Sequence, residues 1–256
     1  MAKDPIIRVE HLTAGYGDRT IFDDVSFEVR AGEVFVILGG SGCGKSTLLK
    51  HMIGLYRPVG GRIWIDGEDI AQAEGEARRR VQRRIGVMYQ SGALFGSMTL
   101  LENVRLPLEE WSELPPDAMD AIAASKLKLV QLEGYESFFP AEISGGMKKR
   151  AAIARAMALE PTILFLDEPS AGLDPVTSAD LDATIVRLSR TLGVTFVIVT
   201  HELASIFAIA TRAIMLDREK KGILATGTPQ ELRDRPPHEF VRRFFHREGD
   251  TAEVHR

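Results

Sequence analysis

The sequence predicts an α/β fold: a parallel sheet covered by helices on both faces, with an antiparallel β element early in the chain and an inserted helical segment. Three observations carry this prediction. Short apolar runs rich in β-branched residues recur along the chain, as buried strands require. Between the later runs, apolar residues return at helical spacing, which gives the strand–helix alternation of a parallel sheet. Residues 92–158 break the pattern, with few β-branched runs and many helix formers.

Taken in order, residues 6–9 and 25–29 read as strands. Together with 63–65 they lie among the turn glycines Gly15, Gly17, Gly60, Gly61 and Gly67, which points to antiparallel pairing. Residues 34–38 form a strand that runs straight into a glycine-rich turn. Arg78, Arg79, Arg80, Arg83 and Arg84 follow Glu74 and Glu76, and with Val81 and Ile85 four apart they read as the solvated face of a helix. Residues 85–88 make the next strand. Pro115-Pro116 opens a helix over 117–132 with Pro116 in its first turn. Strands are expected at 163–166, 195–199 and 213–216, and Leu181, Ile185, Leu188 and Leu192 mark one face of a helix between the first two. Beyond Pro236-Pro237, the spacing of Phe240, Val241 and Phe244 fits a short amphipathic helix that needs something to pack against, on its own domain or on a second copy.

Composition bounds the function. The 256 residues are 45% apolar and 27% charged, enough for a packed core, and the net charge of −4 argues against nucleic-acid binding through overall charge. A single cysteine, Cys43, excludes an intrachain disulfide and a multi-cysteine metal site. No apolar run approaches the roughly 20 residues of a membrane span, and Met1-Ala-Lys-Asp-Pro-Ile lacks the apolar stretch of a secretory signal. A soluble intracellular protein is expected.

The turn after 34–38 reads Gly39-Gly40-Ser41-Gly42-Cys43-Gly44-Lys45-Ser46-Thr47 and leads into Leu48, Leu49, Met52 and Ile53 at helical spacing. It fits the phosphate-loop pattern, and the flanking strand and helix distinguish it from a flexible turn. Backbone N–H groups and the helix N-terminus would face a polyphosphate, Lys45 would charge-pair with its outer phosphates and Ser46 would ligate Mg²⁺. Cys43 reads as a small loop residue, not as a redox nucleophile. Asp167 and Glu168 follow the strand 163–166 at the end where α/β sheets bind ligands. Asp167 is the candidate metal ligand and Glu168 the candidate base for an attacking water.

The phosphate loop alone leaves kinases, GTPases and ATPases open. Ile143-Ser-Gly-Gly-Met-Lys-Lys-Arg150, followed by a helix expected over 151–159, resembles the LSGGQ-type signature of ATP-binding-cassette (ABC) ATPases. The other motifs occur in the family's order. Tyr16 resembles the aromatic that stacks on adenine, Gln90 the Q-loop glutamine, Ser170-Ala-Gly-Leu-Asp-Pro175 the D-loop with Asp174, and His201 the switch histidine. The resemblance spans about residues 6–232. It implies an ABC ATPase core with ATP and Mg²⁺ as cofactors, Gln90 joining Ser46 and Asp167 at the metal, and Glu168, His201 and Gln90 as the catalytic set. It also implies that Ser144, Gly145 and Gly146 contact ATP held by a second copy, in a homodimer that sandwiches two nucleotides. Two positions depart from the pattern: Ile143 stands for leucine and Met147 for glutamine. The expected organisation is one ABC domain over 1–237, with core 1–91 and 159–237 and helical subdomain about 92–158, and a tail over 238–256.

Met88-Tyr-Gln-Ser-Gly-Ala-Leu-Phe95 and Thr99-Leu-Leu-Glu-Asn-Val-Arg-Leu-Pro-Leu108, taken with the loop and signature, further resemble the ATPases of bacterial Mla-type (MCE-linked) phospholipid transporters. That resemblance implies a membrane-spanning permease, an MCE-domain lipid-binding protein, in some members a STAS-domain subunit, and a place on the cytoplasmic face of the inner membrane. Phe95 would lie where a permease helix docks, whereas Leu94 reads equally as an internal turn residue. The alternatives are another ABC importer or a lipoprotein-release ATPase, and further off a soluble non-transport ABC ATPase, whose usual second cassette, long coiled coil or zinc ligands this sequence lacks.

Overall fold

The computed structural model describes residues 5–16 and 19–248. Two sheets share one core. The first is antiparallel, in the order β2-β1-β4-β5, from β1 (Pro5–Tyr16), β2 (Arg19–Arg30), β4 (Gly60–Ile65) and the short β5 (Glu68–Asp69). The second has the order β10-β9-β3-β8-β7-β6, from β3 (Val34–Gly39), β6 (Ile85–Met88), β7 (Ile163–Asp167), β8 (Thr195–Val199), β9 (Arg212–Asp217) and β10 (Gly222–Gly227). All its pairings are parallel except β9–β10. The parallel strands lie close to the expected runs, but β10 was not anticipated. Its Gly222-Ile-Leu-Ala-Thr-Gly sequence is half-exposed and carries two glycines, so it presents neither the continuous apolar run of a central strand nor a strict alternation.

The central strands are buried on both faces, and the alternation of side chains divides the core. Val34, Val36 and Leu38 of β3 face one cluster with Leu164, Leu166, Phe196 and Ile198; Phe35 and Ile37 face the other with Ile163, Phe165, Val197 and Val199. The second cluster is closed by the antiparallel sheet and by α1 (Lys45–Met52), through Leu48, Leu49 and Met52. The first is closed by α3 (Leu100–Trp111), α4 (Pro116–Leu129), α5 (Gly145–Ala156), α6 (Pro175–Leu192) and α7 (Leu203–Ile209), with α8 (Pro229–Asp234) and α9 (Glu239–His246) behind them. Fully burying a side chain such as Phe35 or Ile37 contributes about 1.5–3 kcal/mol each, and the parallel strands consist almost entirely of such residues.

The chain between β6 and β7 is helical. Thr99 caps α3 through a capping box with Glu102, and Pro116 occupies the first turn of α4. The signature helix begins at Gly145, earlier than the expected 151, because Ser144 accepts the Met147 N–H and so starts the helix within the glycines. The basic residues of α2 (Gly75–Arg84) are spent on neighbours: Arg80 pairs with Glu68, Arg84 with Asp66, and Arg78 and Arg83 donate to the carbonyls of Gly54 and Trp111. This is the solvated helix face the sequence suggests.

The apolar tail packs on its own core. Val241 and Phe245 of α9 are buried, and the Phe245 ring meets Phe207 of α7 at 5.8 Å, edge to face. Residues 249–256 lie outside the described residues. Among those described, no helix is long and apolar enough to cross a membrane.

Candidate active site

The C-terminal ends of β3 and β7 bring the phosphate-loop and acidic residues together, as the switch-point geometry of parallel sheets requires. Between β3 and α1 the loop folds tightly over its own glycines. At Gly39, φ is +146°, and a Cβ there would stand 2.5 Å from Cys43 Sγ and 2.6 Å from the Leu216 carbonyl oxygen. At Gly44, φ is +99°, and a Cβ would meet Ile21 and Phe22 at 2.6 Å. Only glycine fits these two places. Lys45 reaches back across the loop, its Nζ donating to the carbonyls of Gly39 at 2.9 Å and Gly40 at 3.0 Å. Cys43 is buried, and burial raises its thiol pKa, with the Lys45 charge opposing, so it behaves as the small packing residue expected.

Ser46 Oγ donates to Asp167 Oδ1 at 3.1 Å, so two of the three residues expected at Mg²⁺ stand side by side. Burial raises the Asp167 carboxyl above its usual range; the Ser46 hydrogen bond and the charges of Lys50 and Lys45 work against that rise, and Glu168 adds to it. Glu168 has a left-handed backbone, φ +48°, held by its own N–H donating to the Val199 carbonyl at 2.8 Å. Its carboxylate is turned toward β8, where Oε1 lies 2.8 Å from His201 Nδ1. A non-glycine residue at positive φ costs about 1–3 kcal/mol, and this one falls beside the reactive end of the cleft.

Gly39 through Thr47, Gln90, Glu168 and His201 line one cleft of about 1040 Å³, and the buried Asp167 lies behind it on Ser46. Tyr16 ends β1, where its backbone pairs with the cleft-lining Arg19, but its side chain lies outside the described residues. The signature is not part of this cleft. Ser144 and Gly145 are exposed at the N-terminus of α5, and Gly146 packs so closely on Thr177 that a Cβ there would approach its Cγ2 to 2.2 Å. Asp174 caps α6; the Thr177 hydroxyl, then the N–H groups of Thr177 and Val176, donate to its carboxylate and hold it below the usual range. The structure therefore joins the loop, acid, glutamine and histidine residues, and leaves the signature as a separate exposed helix end.

Sequence reading missed Arg218, Lys221 and Phe244, which also line the cleft. Arg218 and Lys221 come from the β9–β10 turn, where a charged stretch ordinarily reads as solvated surface. Phe244 belongs to the tail helix, for which spacing predicts packing but gives no partner. On the same helix Phe240 covers Gly40, its ring 3.4 Å from the position of a Cβ there.

Against known families, residues 22–171 match the one described as "ABC transporter", more than half of the chain. The chain belongs to the ABC transporter family. As an ABC ATPase it binds and hydrolyses ATP. Two curated relatives bear on its substrate. The cassette is 38% identical over 227 residues to the intermembrane phospholipid transport system ATP-binding protein MlaF of Haemophilus influenzae, covering 89% of this chain and 85% of that one. It is 46% identical over 195 residues to a probable ribonucleotide transport ATP-binding protein of Mycobacterium leprae, covering 76% of this chain and 56% of that one. Among solved structures, a dimeric ATP-binding cassette in a post-hydrolysis state bound to ADP and Pi superposes with TM-score 0.77 at 28% identity, covering 87% of this chain and 98% of that one.

Proposed function

We propose that this cassette is the ATP-hydrolysing subunit of a bacterial transporter that moves phospholipids between the inner and outer membranes. The observation that carries this reading is the likeness to the MlaF protein across nearly the whole of both chains. The relative named for ribonucleotides is matched over only 56% of its length.

The geometry supports definite roles. Lys45 and the loop N–H groups of residues 39–47 receive the β- and γ-phosphates, and Tyr16 receives the adenine. Ser46 and Asp167 offer adjacent hard oxygen donors at a helix N-terminus, a set that would hold Mg²⁺, with Gln90 of the same cleft as the further donor. When bound, Mg²⁺ neutralises charge on the transferred phosphoryl oxygens. Glu168 accepts the proton of the attacking water, and His201, in hydrogen-bond contact with it, aligns that water and the γ-phosphate.

Ser144, Gly145 and Gly146 offer a hydroxyl and free N–H groups on a face separate from the cleft. A two-fold homodimer that places them on the partner's nucleotide completes both sites, and the dimeric ADP-bound relative structure supports that arrangement. The cassette then works peripherally on the cytoplasmic face of the inner membrane, docked to a permease that supplies the spans and, through it, to an MCE-domain lipid-binding protein, with a STAS-domain subunit as a further partner. Phe95, half-exposed, lies on the helical side where such a permease helix would dock; Leu94 instead packs against the core.

Affinity purification from native membranes, with identification of co-purifying proteins and lipids, tests this. A permease with an MCE-domain partner and bound phospholipid is the expected result. Recovery with a periplasmic solute-binding protein and no phospholipid overturns the substrate assignment.

A further inference from the structure

The phosphate cleft leaves unexplained two half-buried or buried cations on α5. Lys149 is 8% exposed, and its Nζ donates to the Gln90 carbonyl. Burial lowers its ammonium below the usual lysine range, with the Glu168 charge opposing. Further along the helix, Arg155 forks over two more carbonyls of the same loop, Nη1 to Ala93 at 2.7 Å and Nη2 to Gly92 at 2.8 Å. Between them the loop lies directly on the helix, since a Cβ at Gly92 would stand 3.4 Å from Ala152 Cβ. Apolar side chains would fill these places without the desolvation cost of two cations. What the cations add is direction: charge-assisted hydrogen bonds to three particular carbonyls fix where the loop sits.

That loop reaches two places. Gln90 lines the nucleotide cleft. Its neighbour Tyr89, with Arg155 of α5, lines a separate groove of about 340 Å³ with Leu55, Pro107 and Trp111. The helix that grips the loop begins with Ser144, Gly145 and Gly146.

We propose that Lys149 and Arg155 are positioning residues for ATP hydrolysis, locking the Gln90 loop to the signature helix so that both present to nucleotide in one fixed register. The proposal rests on the reading of Gln90 as a working group of the cleft. Neither cation needs to touch ATP; each acts through a backbone carbonyl, so its loss misplaces Gln90 without removing a phosphate contact.

Steady-state hydrolysis by the purified full-length chain tests it. Lys149→Met is expected to lower kcat about 10- to 100-fold, the scale of a small misplacement at a reacting centre, while KM for ATP stays within about twofold. Lys149→Arg, which keeps the donor, is expected to recover at least about half of the parent kcat. Arg155→Lys, at a less buried position, gives the same kcat-only loss in smaller degree and serves if Lys149→Met does not fold. In a Gln90→Ala chain, Lys149→Met is expected to cost nothing further, whereas a merely structural residue would add its full effect. Parent kcat in Lys149→Met and Arg155→Lys, a rise in KM in place of a fall in kcat, or full additivity with Gln90→Ala overturns the proposal. Parent turnover in Gln90→Ala alone would instead overturn the role given to Gln90.

Discussion

At the scale of single residues, Glu168, the proposed base, has a left-handed backbone and a carboxylate in contact with His201. Glu168→Gln keeps the shape and the contact to His201 but removes the base. Turnover should fall about 10²- to 10⁴-fold while ATP affinity is retained, which single-turnover hydrolysis and equilibrium binding separate; undiminished turnover refutes the assignment. Asp182 makes a different prediction. Burial, partly offset by the Ser205 hydroxyl and reinforced by Glu202, pushes its carboxyl up to about 6. Because the folded value exceeds the unfolded one, the folded chain holds this proton more tightly, so the group's contribution to stability falls as pH rises from about 4 to 6 and stays low above. Asp182→Asn should therefore gain about 1–3 kcal/mol at pH 8, with the gap narrowing at pH 5, as denaturant titrations at the two pH values would show. An equal gap at both would mean that the carboxyl is not shifted.

At the scale of elements, the phosphate loop shows why some glycines carry function and others only a turn. Gly44→Ala drives a methyl into Ile21 and Phe22, whereas Gly32, also left-handed at φ +80°, has nothing within 4 Å of a Cβ. Gly44→Ala should displace the loop and weaken ATP binding more than about tenfold; Gly32→Ala should cost only the strain of about 1–2 kcal/mol and leave binding intact. Equilibrium binding with thermal melts distinguishes them. The parallel strands were legible in the sequence because burial on both faces demands continuous β-branched runs such as Val34 to Leu38. That the loop, Ser46, Asp167 and Glu168 come together at one edge of the sheet was legible because the phosphate-loop pattern specifies its flanking strand and helix, and the acids end a parallel strand. The β10 edge and the lining residues Arg218, Lys221 and Phe244 were not, since half-exposed strands and charged turns look alike whether or not they border a cleft. Lys149 was hidden for a related reason: a lysine beside another lysine reads as surface, and only burial against the Gln90 carbonyl reveals it.

At the scale of the whole molecule, Ser144–Gly146 lie apart from the chain's own cleft. The proposed two-fold sandwich would make each site from the loop and Glu168 of one chain and the signature of the other. Two defective chains then complement each other. A Glu168→Gln chain keeps its nucleotide and its signature, and a Ser144→Arg chain keeps its loop and base, with the exposed Ser144 position tolerating the larger side chain. In their mixed dimer both defects fall in one site, and the other site is intact. Each variant alone should be nearly inactive, while an equal mixture that exchanges subunits freely should recover up to about a quarter of parent activity, from half of the dimers each holding one working site. If hydrolysis used the signature of the same chain, every site in the mixture would carry a defect and no activity would return. Activity measured against mixing ratio should peak at equal amounts, a shape that contamination by parent protein cannot produce.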